Sequence, residues 1–210
     1  IYMRRMAASC SARCRVGADL DPGERPLRCL CKISCVVCSR HHWKKPTIAG
    51  LFSLAAEFDV PVLLHTEFSR ANYTLGLCQA FPDTRILWAH AGSMLAPGEV
   101  ERVLQGCPNV HAELSARDPW RHRGNRIVDD AGELLPAWRA LISRHFDRFM
   151  IGSDPVWPVD RLNPWDEPDS GWQELPRFLE FHRRWLSTLP EEQAAAIRWE
   201  NARRFFAGGS

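Results

Sequence analysis

The sequence predicts an α/β fold of repeated β-α units around a parallel sheet, and three observations carry that prediction. Apolar runs recur at intervals of about 25 to 40 residues, with helix-like stretches between them. The clearest run, Val60-Pro61-Val62-Leu63-Leu64, lacks polar alternation and reads as a strand buried on both faces, as parallel strands are. Three of the runs end on a chemically active side chain, His65, His90 and Asp154. Right-handed crossovers would bring those ends to one side of the sheet. Four strands are convincing, which is half of a closed eight-stranded barrel. The expected architecture is therefore a partial (β/α)8 barrel of about four parallel strands with flanking helices, preceded by an irregular N-terminal segment.

The elements follow in order. Residues 1–45 show poor apolar periodicity, frequent arginine and a turn at Asp21-Pro22-Gly23, and only Ile33-Ser34-Cys35-Val36-Val37 passes as a strand. They are read as a poorly ordered Cys- and Arg-rich leader, with the domain running from Pro46 to the end. Thr47 is placed to cap a helix through Phe58 that buries Ile48, Leu51, Leu54, Ala55 and Phe58. After strand Val60–Leu64 a helix is expected from Ser69 to about Phe81, stopped by Pro82. Strand Arg85–Ala89 follows, then a helix opened by Pro97 and running through Leu104. Val110–Leu114 is a shorter strand of mixed polarity. Beyond a polar loop, Leu134–Phe146 is an amphipathic helix burying Leu135, Trp138, Leu141 and Ile142, and Arg148–Gly152 is the last strand. A proline-rich loop leads to two helices, about Gly171–Leu186 and Pro190–Phe206.

Composition narrows the function classes. Net charge is +2, but residues 1–45 hold 10 Lys and Arg against 3 Asp and Glu, leaving the rest of the chain at −5. Nothing in the periodic body calls for nucleic acid. No apolar run approaches the ~18 residues of a membrane span, so no membrane partner is expected. Six of eight cysteines lie in the first 38 residues, while Cys78 and Cys107 stand alone. That uneven spread predicts a reduced, cytoplasmic body. A zinc knuckle from Cys29, Cys31, Cys35 and Cys38, with His41 or His42, is the weaker reading of the leader. Only Cys35-x-x-Cys38 has suitable spacing.

Imidazole nitrogens and a carboxylate oxygen on one rim suit a divalent metal: zinc, iron or manganese. His65, His90 and Asp154 are the candidate ligands, with Asp154 and His90 also the candidate catalytic groups. Gly152 and Ser153 let the chain turn close to them. Quieter explanations stand beside these. A strand-end histidine is commonly structural, and an aspartate after Gly-Ser can cap a turn. Glu113 either faces solvent or holds a ligand histidine, and His111 is read as structural. Trp157, Trp165 and Trp172 are read as core packing before pocket walls. Arg117, Arg121 and Arg123 offer a carboxylate clamp or plain surface solvation.

The same residues carry a family likeness. Pro61-Val62-Leu63-Leu64-His65-Thr66-Glu67, Trp88-Ala89-His90-Ala91-Gly92, Ile151-Gly152-Ser153-Asp154 and Glu200-Asn201-Ala202-Arg203-Arg204-Phe205-Phe206 resemble the C-terminal half of an amidohydrolase-family metal-dependent hydrolase. The resemblance implies a TIM barrel, a small organic substrate, a metal-activated water and a divalent metal, with zinc first. It also implies that His65 is a metal ligand, His90 a ligand or catalytic residue, and Asp154 a ligand and proton acceptor. The same family includes metal-dependent decarboxylases. It further supplies a His-x-His ligand pair, which this sequence lacks. A truncated, inactive fragment is therefore the alternative expectation, and exposed sheet edges would allow a homo-oligomer.

Overall fold

A computed structural model of the chain describes residues 11–13, 31–34, 46–66, 69–120, 124–155 and 171–207. Its six strands form one sheet in chain order: β1 (Ser11–Arg13), β2 (Cys31–Ser34), β3 (Val62–His65), β4 (Ile86–Trp88), β5 (Val110–Glu113) and β6 (Phe149–Met150). β1 runs antiparallel to β2, and every pairing from β2 to β6 is parallel. The four parallel strands expected from the sequence are present, and the sheet does not close. A fifth parallel strand, β2, comes from within residues 1–45 and pairs Cys31 with Val62. The family of helices on the outer face comprises α1 (Pro46–Glu57), α2 (Ala71–Ala80), α3 (Pro97–Gly106) and α4 (Pro136–Arg144). The chain then enters α5 (Leu175–Leu186), α6 (Glu191–Ala195), a widened turn at Ala196–Glu200, and α7 (Asn201–Ala207).

Alternation along the strands gives each sheet face its own apolar cluster. Val62, Leu64, Ile86, Trp88, Val110, Ala112 and Phe149 are fully buried beneath the outer helices. Leu63, Leu87 and Met150 face the other way and meet Ala202 and Phe205 of α7. Both faces are covered along β4, which explains why its sequence reads as an unbroken apolar run. Trp88 satisfies its one donor inside this core, with Nε1 giving a hydrogen bond to Thr66 Oγ1 at 2.7 Å.

Helix α1 departs from the sequence expectation in phase. Ile48, Phe52 and Ala55 are buried, whereas Leu54 is 51% and Phe58 68% exposed. At about 100° per residue, Leu54 lies roughly 120° round from Ile48, outside the stripe centred on Ile48, Phe52 and Ala55. Pro46 occupies the first helical position, so Thr47 lies inside the helix. Trp172 is 59% exposed and does not pack the core as expected, while Trp157 and Trp165 lie outside the described residues. Cys78 of α2 and Cys107 after α3 form a disulfide with Cα atoms 5.8 Å apart, in place of the two free thiols expected. No helix among the described residues is long and apolar enough to cross a membrane.

Asparagine side chains tie loops to the sheet. Asn109 Nδ2 donates to the carbonyls of Phe81 and Thr84, each at 2.9 Å. Asn201 Nδ2 donates to Phe146 O and Phe149 O, each at 2.7 Å, fastening α7 to the start of β6. Asn201→Ala leaves one buried and one partly buried carbonyl without this donor. It is expected to lower stability by about 2–4 kcal/mol, measured by urea unfolding; an unchanged midpoint would show that α7 docks through apolar contacts alone.

Candidate active site

The site forms where β3, β4, β5 and β6 end. His65 closes β3, His90 follows β4 by two residues, Glu113 closes β5, and Asp154 lies four residues beyond β6. The His65 and His90 rings meet edge to face with centroids 5.0 Å apart. His90 Nε2 lies 3.9 Å from Asp154 Oδ2. All three residues predicted from the sequence thus fall at one rim. Among the described residues, however, no group of three or more His, Cys, Asp or Glu side chains is placed to hold a metal ion. The donor types suit a divalent cation; the donor set is not closed.

Glu113 is the centre of the hydrogen bonding. Its carboxylate accepts the His90 backbone N–H at 2.5 Å and the Ser115 backbone N–H at 2.8 Å. His90 Nδ1 lies 3.1 Å from Glu113 Oε1, 3.2 Å from Ser115 O and 2.8 Å from Ser115 Oγ. A carboxylate and a carbonyl can only accept, so the proton sits on Nδ1. In the neutral ring that leaves the Nε2 lone pair facing Asp154. Glu113 therefore does not face solvent; it is the carboxylate that orients a histidine.

Gly152 makes room for this arrangement. A methyl group there would overlap Glu113 Oε2 and sit 3.1 Å from Ser115 Cβ. Its carbonyl is fixed from α5: Trp185 Nε1 donates to His182 Nδ1 at 3.1 Å, leaving His182 Nε2–H to donate to Gly152 O at 2.7 Å. His182 carries no motif. Its only trace in the sequence is a place on the buried stripe of α5 with Phe178, Phe181 and Trp185.

The backbone at this rim is left-handed at several non-glycine positions: His90 (φ 56°), Ala91 (φ 46°), Ser93 (φ 54°), Ala116 (φ 54°) and Asp154 (φ 43°). Each costs about 1–2 kcal/mol in an L-residue, and such strain gathers at functional sites. Gly92, at φ 77°, packs so closely on the Trp88 ring that a side chain could not fit. Arg117, one of the candidate substrate clamps, is 1% exposed and donates only to backbone carbonyls among its hydrogen bonds, so it does not present itself to a substrate. Glu67, Arg121 and Arg123 lie outside the described residues. His111 stacks on Phe205 with ring centroids 4.9 Å apart. Burial, with Arg148, Arg204 and Arg85 nearby, pulls its pKa down to about 4, so it is neutral at physiological pH.

Burial works to raise the Glu113 pKa, but the charge and hydrogen bonds of His90 and the Ser115 bond outweigh it and hold the carboxyl at about 2. Burial works to lower the His90 pKa, and Glu113, then Asp154, raise it above its ordinary 6.5. A depressed carboxyl stabilises the fold above its ordinary 4.5, and that stability is lost as pH falls toward 2. A raised imidazole stabilises the fold below 6.5, and that stability is lost as pH climbs through the folded value. The metal-free protein is thus expected to gain most from the pair between pH 4.5 and 6.5. Melting temperatures across pH 2–9 check this, and Glu113→Gln is expected to flatten both limbs; an unaltered profile in that variant would refute the pairing. Gly152→Ala is expected to cost about 1–3 kcal/mol by overpacking, read from urea unfolding, with no loss meaning that the carboxylate does not occupy this space.

Solved structures share the fold. Amidohydrolase 2 from Bifidobacterium longum subsp. infantis superposes with a TM-score of 0.51 at 14% identity, covering 79% of this chain and 56% of that one. An amidohydrolase from Burkholderia multivorans with bound HEPES gives 0.51 at 16% identity, covering 79% and 59%. Dihydroorotase from Campylobacter jejuni gives 0.52 at 14% identity, covering 84% and 57%. The chain thus spans less than two thirds of the length of these structures. No curated protein matches the chain. Residues 34–208 match the amidohydrolase family model, four-fifths of the sequence and every residue of the rim described above, and the chain belongs to the amidohydrolase family.

Proposed function

We propose that this chain carries the C-terminal half of a metal-dependent hydrolase site acting on a small organic substrate. One observation supports the reading above all: His90 Nε2 lies 3.9 Å from Asp154 Oδ2, with the His65 ring beside it, at the carboxyl ends of parallel strands. That end of a β/α barrel is where its chemistry sits. His65, His90 and Asp154 are the residues that would hold the cation, with zinc the first candidate for two imidazoles and a carboxylate. When bound, such a cation lowers the pKa of a coordinated water toward ~7 and polarises a substrate oxygen.

The chain's own groups have distinct parts. Glu113 and Ser115 hold the His90 proton on Nδ1, so Nε2 is presented as a donor atom. Asp154 Oδ2, 3.9 Å from His90 Nε2, would accept a proton from a water bound at the site. Trp88 and Leu95 pack against Gly92 in the turn that carries His90.

A second reading rests on two observations. The described residues hold no closed ligand set, and the sequence contains no His-x-His. On that reading the isolated chain is a catalytically silent module of the family.

Zinc analysis of the purified protein separates the two. Stoichiometric zinc in the native protein, reduced at least about tenfold in affinity in His65→Ala and in Asp154→Ala, is the expected result. Zinc retained by both variants but lost in Cys35→Ala would move the metal to the N-terminal cysteines. No zinc in the native protein would favour the silent module.

A further inference from the structure

We infer that Arg117 is a positioning residue for His90, acting by clamping the left-handed turn that carries it. The turn follows β4 and runs through His90, Ala91, Gly92 and Ser93, all at positive φ. Three of these four residues carry a Cβ, so the conformation is unfavourable in isolation. Something must hold it. In this geometry the carbonyls of His90 and Ala91 leave the sheet ladder; within the turn His90 O accepts the Ser93 N–H at 2.9 Å, and carbonyls withdrawn from water need further donors from outside it.

Arg117 supplies the donors from the loop after β5. Its Nε donates to His90 O at 2.8 Å and its Nη2 to Ala91 O at 2.8 Å. Nη1 reaches Leu95 O and Asn125 O, each at 3.2 Å. One planar fork thus joins both ends of the turn to the neighbouring loop. The guanidinium is stacked on Trp138 of α4, with Cζ 4.7 Å from the ring centre, which fixes its plane. Glu113 holds the same residue from the other side, accepting the His90 N–H at 2.5 Å. With its N–H and its carbonyl both fixed, the His90 backbone keeps its place, and from that place the ring reaches Glu113 and Ser115 through Nδ1 with Nε2 on the Asp154 side.

A general core arginine would support the whole domain equally, and its loss would be felt throughout. The clamp predicts a local effect instead. A lysine keeps the charge but cannot bridge four carbonyls with one ammonium. This inference relies on the proposed metal site only for its second measurement.

The test uses Arg117→Met and Arg117→Lys in the full chain. Hydrogen exchange at the His90 and Ser93 amides is expected to accelerate about tenfold or more, the scale of losing charge-assisted hydrogen bonds, with Leu63 and Leu64 of β3 unchanged. The lysine variant is expected to fall between, and it serves alone if the methionine variant does not fold. Equal acceleration in β3, or none at His90 and Ser93, overturns the inference. Zinc titration supplies the second readout: Arg117→Met should weaken zinc about tenfold in the native background and leave affinity unaltered in His90→Ala. An equal loss in the His90→Ala background overturns action through His90. If the native chain takes up no zinc, the metal reading fails by itself and the exchange rates alone decide the role of Arg117.

Discussion

A carboxylate placed out of water must be met by donors, and in this chain Glu113 imposes that condition on everything around it. It sits on β5 between the ends of β4 and β6, and three groups answer it: the His90 amide, the Ser115 amide and the His90 ring. Each answer has a structural consequence. The first draws the turn after β4 inward, the second folds the β5 loop back on itself, and the third sets the imidazole tautomer. Gly152 on the far side is the gap that makes the carboxylate's position sterically allowed. Buried ionic pairs seldom add much net stability, and this one is better understood as fixing an arrangement than as strengthening a fold.

The rim and the rest of the sheet divide the labour. Below the rim, strands are apolar, regular and covered on their outer face by four helices. At the rim the backbone adopts costly conformations and polar groups are buried, each matched to a partner from a different element. Arg117 from the β5 loop and His182 from α5 spend donors on main-chain carbonyls at this rim, while Asn201 from α7 does the same at the start of β6. The regular layer provides the rigidity that lets these irregular segments keep one geometry.

Much of this was legible in the sequence, for physical reasons. Parallel strands buried on both faces write themselves as apolar runs, so β3, β4 and β6 and the polar residues beyond them stand out. The parallel arrangement of the strands follows from their spacing. Strand β2 is only half legible: Ile33 and Ser34 fall in the one strand-like run of the first 45 residues, but the strand begins earlier, in a stretch rich in arginine and cysteine, and its parallel pairing with β3 leaves no mark there. The phase of α1 was misread because Leu54 and Phe58 are as apolar as Ile48 and Phe52, and hydrophobicity alone does not centre the stripe. Partners remote in sequence left no trace: Arg117 with the carbonyls after β4, 22 to 27 residues away, and Cys78 with Cys107, 29 residues away. Glu113 was readable as a candidate orienting carboxylate, since it shares a rim with a histidine, but its three donors were not.

The apolar cluster on the concave face of the sheet has an implication for synthesis. Leu87 and Met150 gain their cover from Phe205, 118 and 55 residues further along the chain. During translation both wait, uncovered, until Phe205 has left the ribosome tunnel, so the nascent domain passes through an open, adhesive stage that chaperones would have to guard. Loss of the turn of α7 that carries Phe205 would leave that cluster bare.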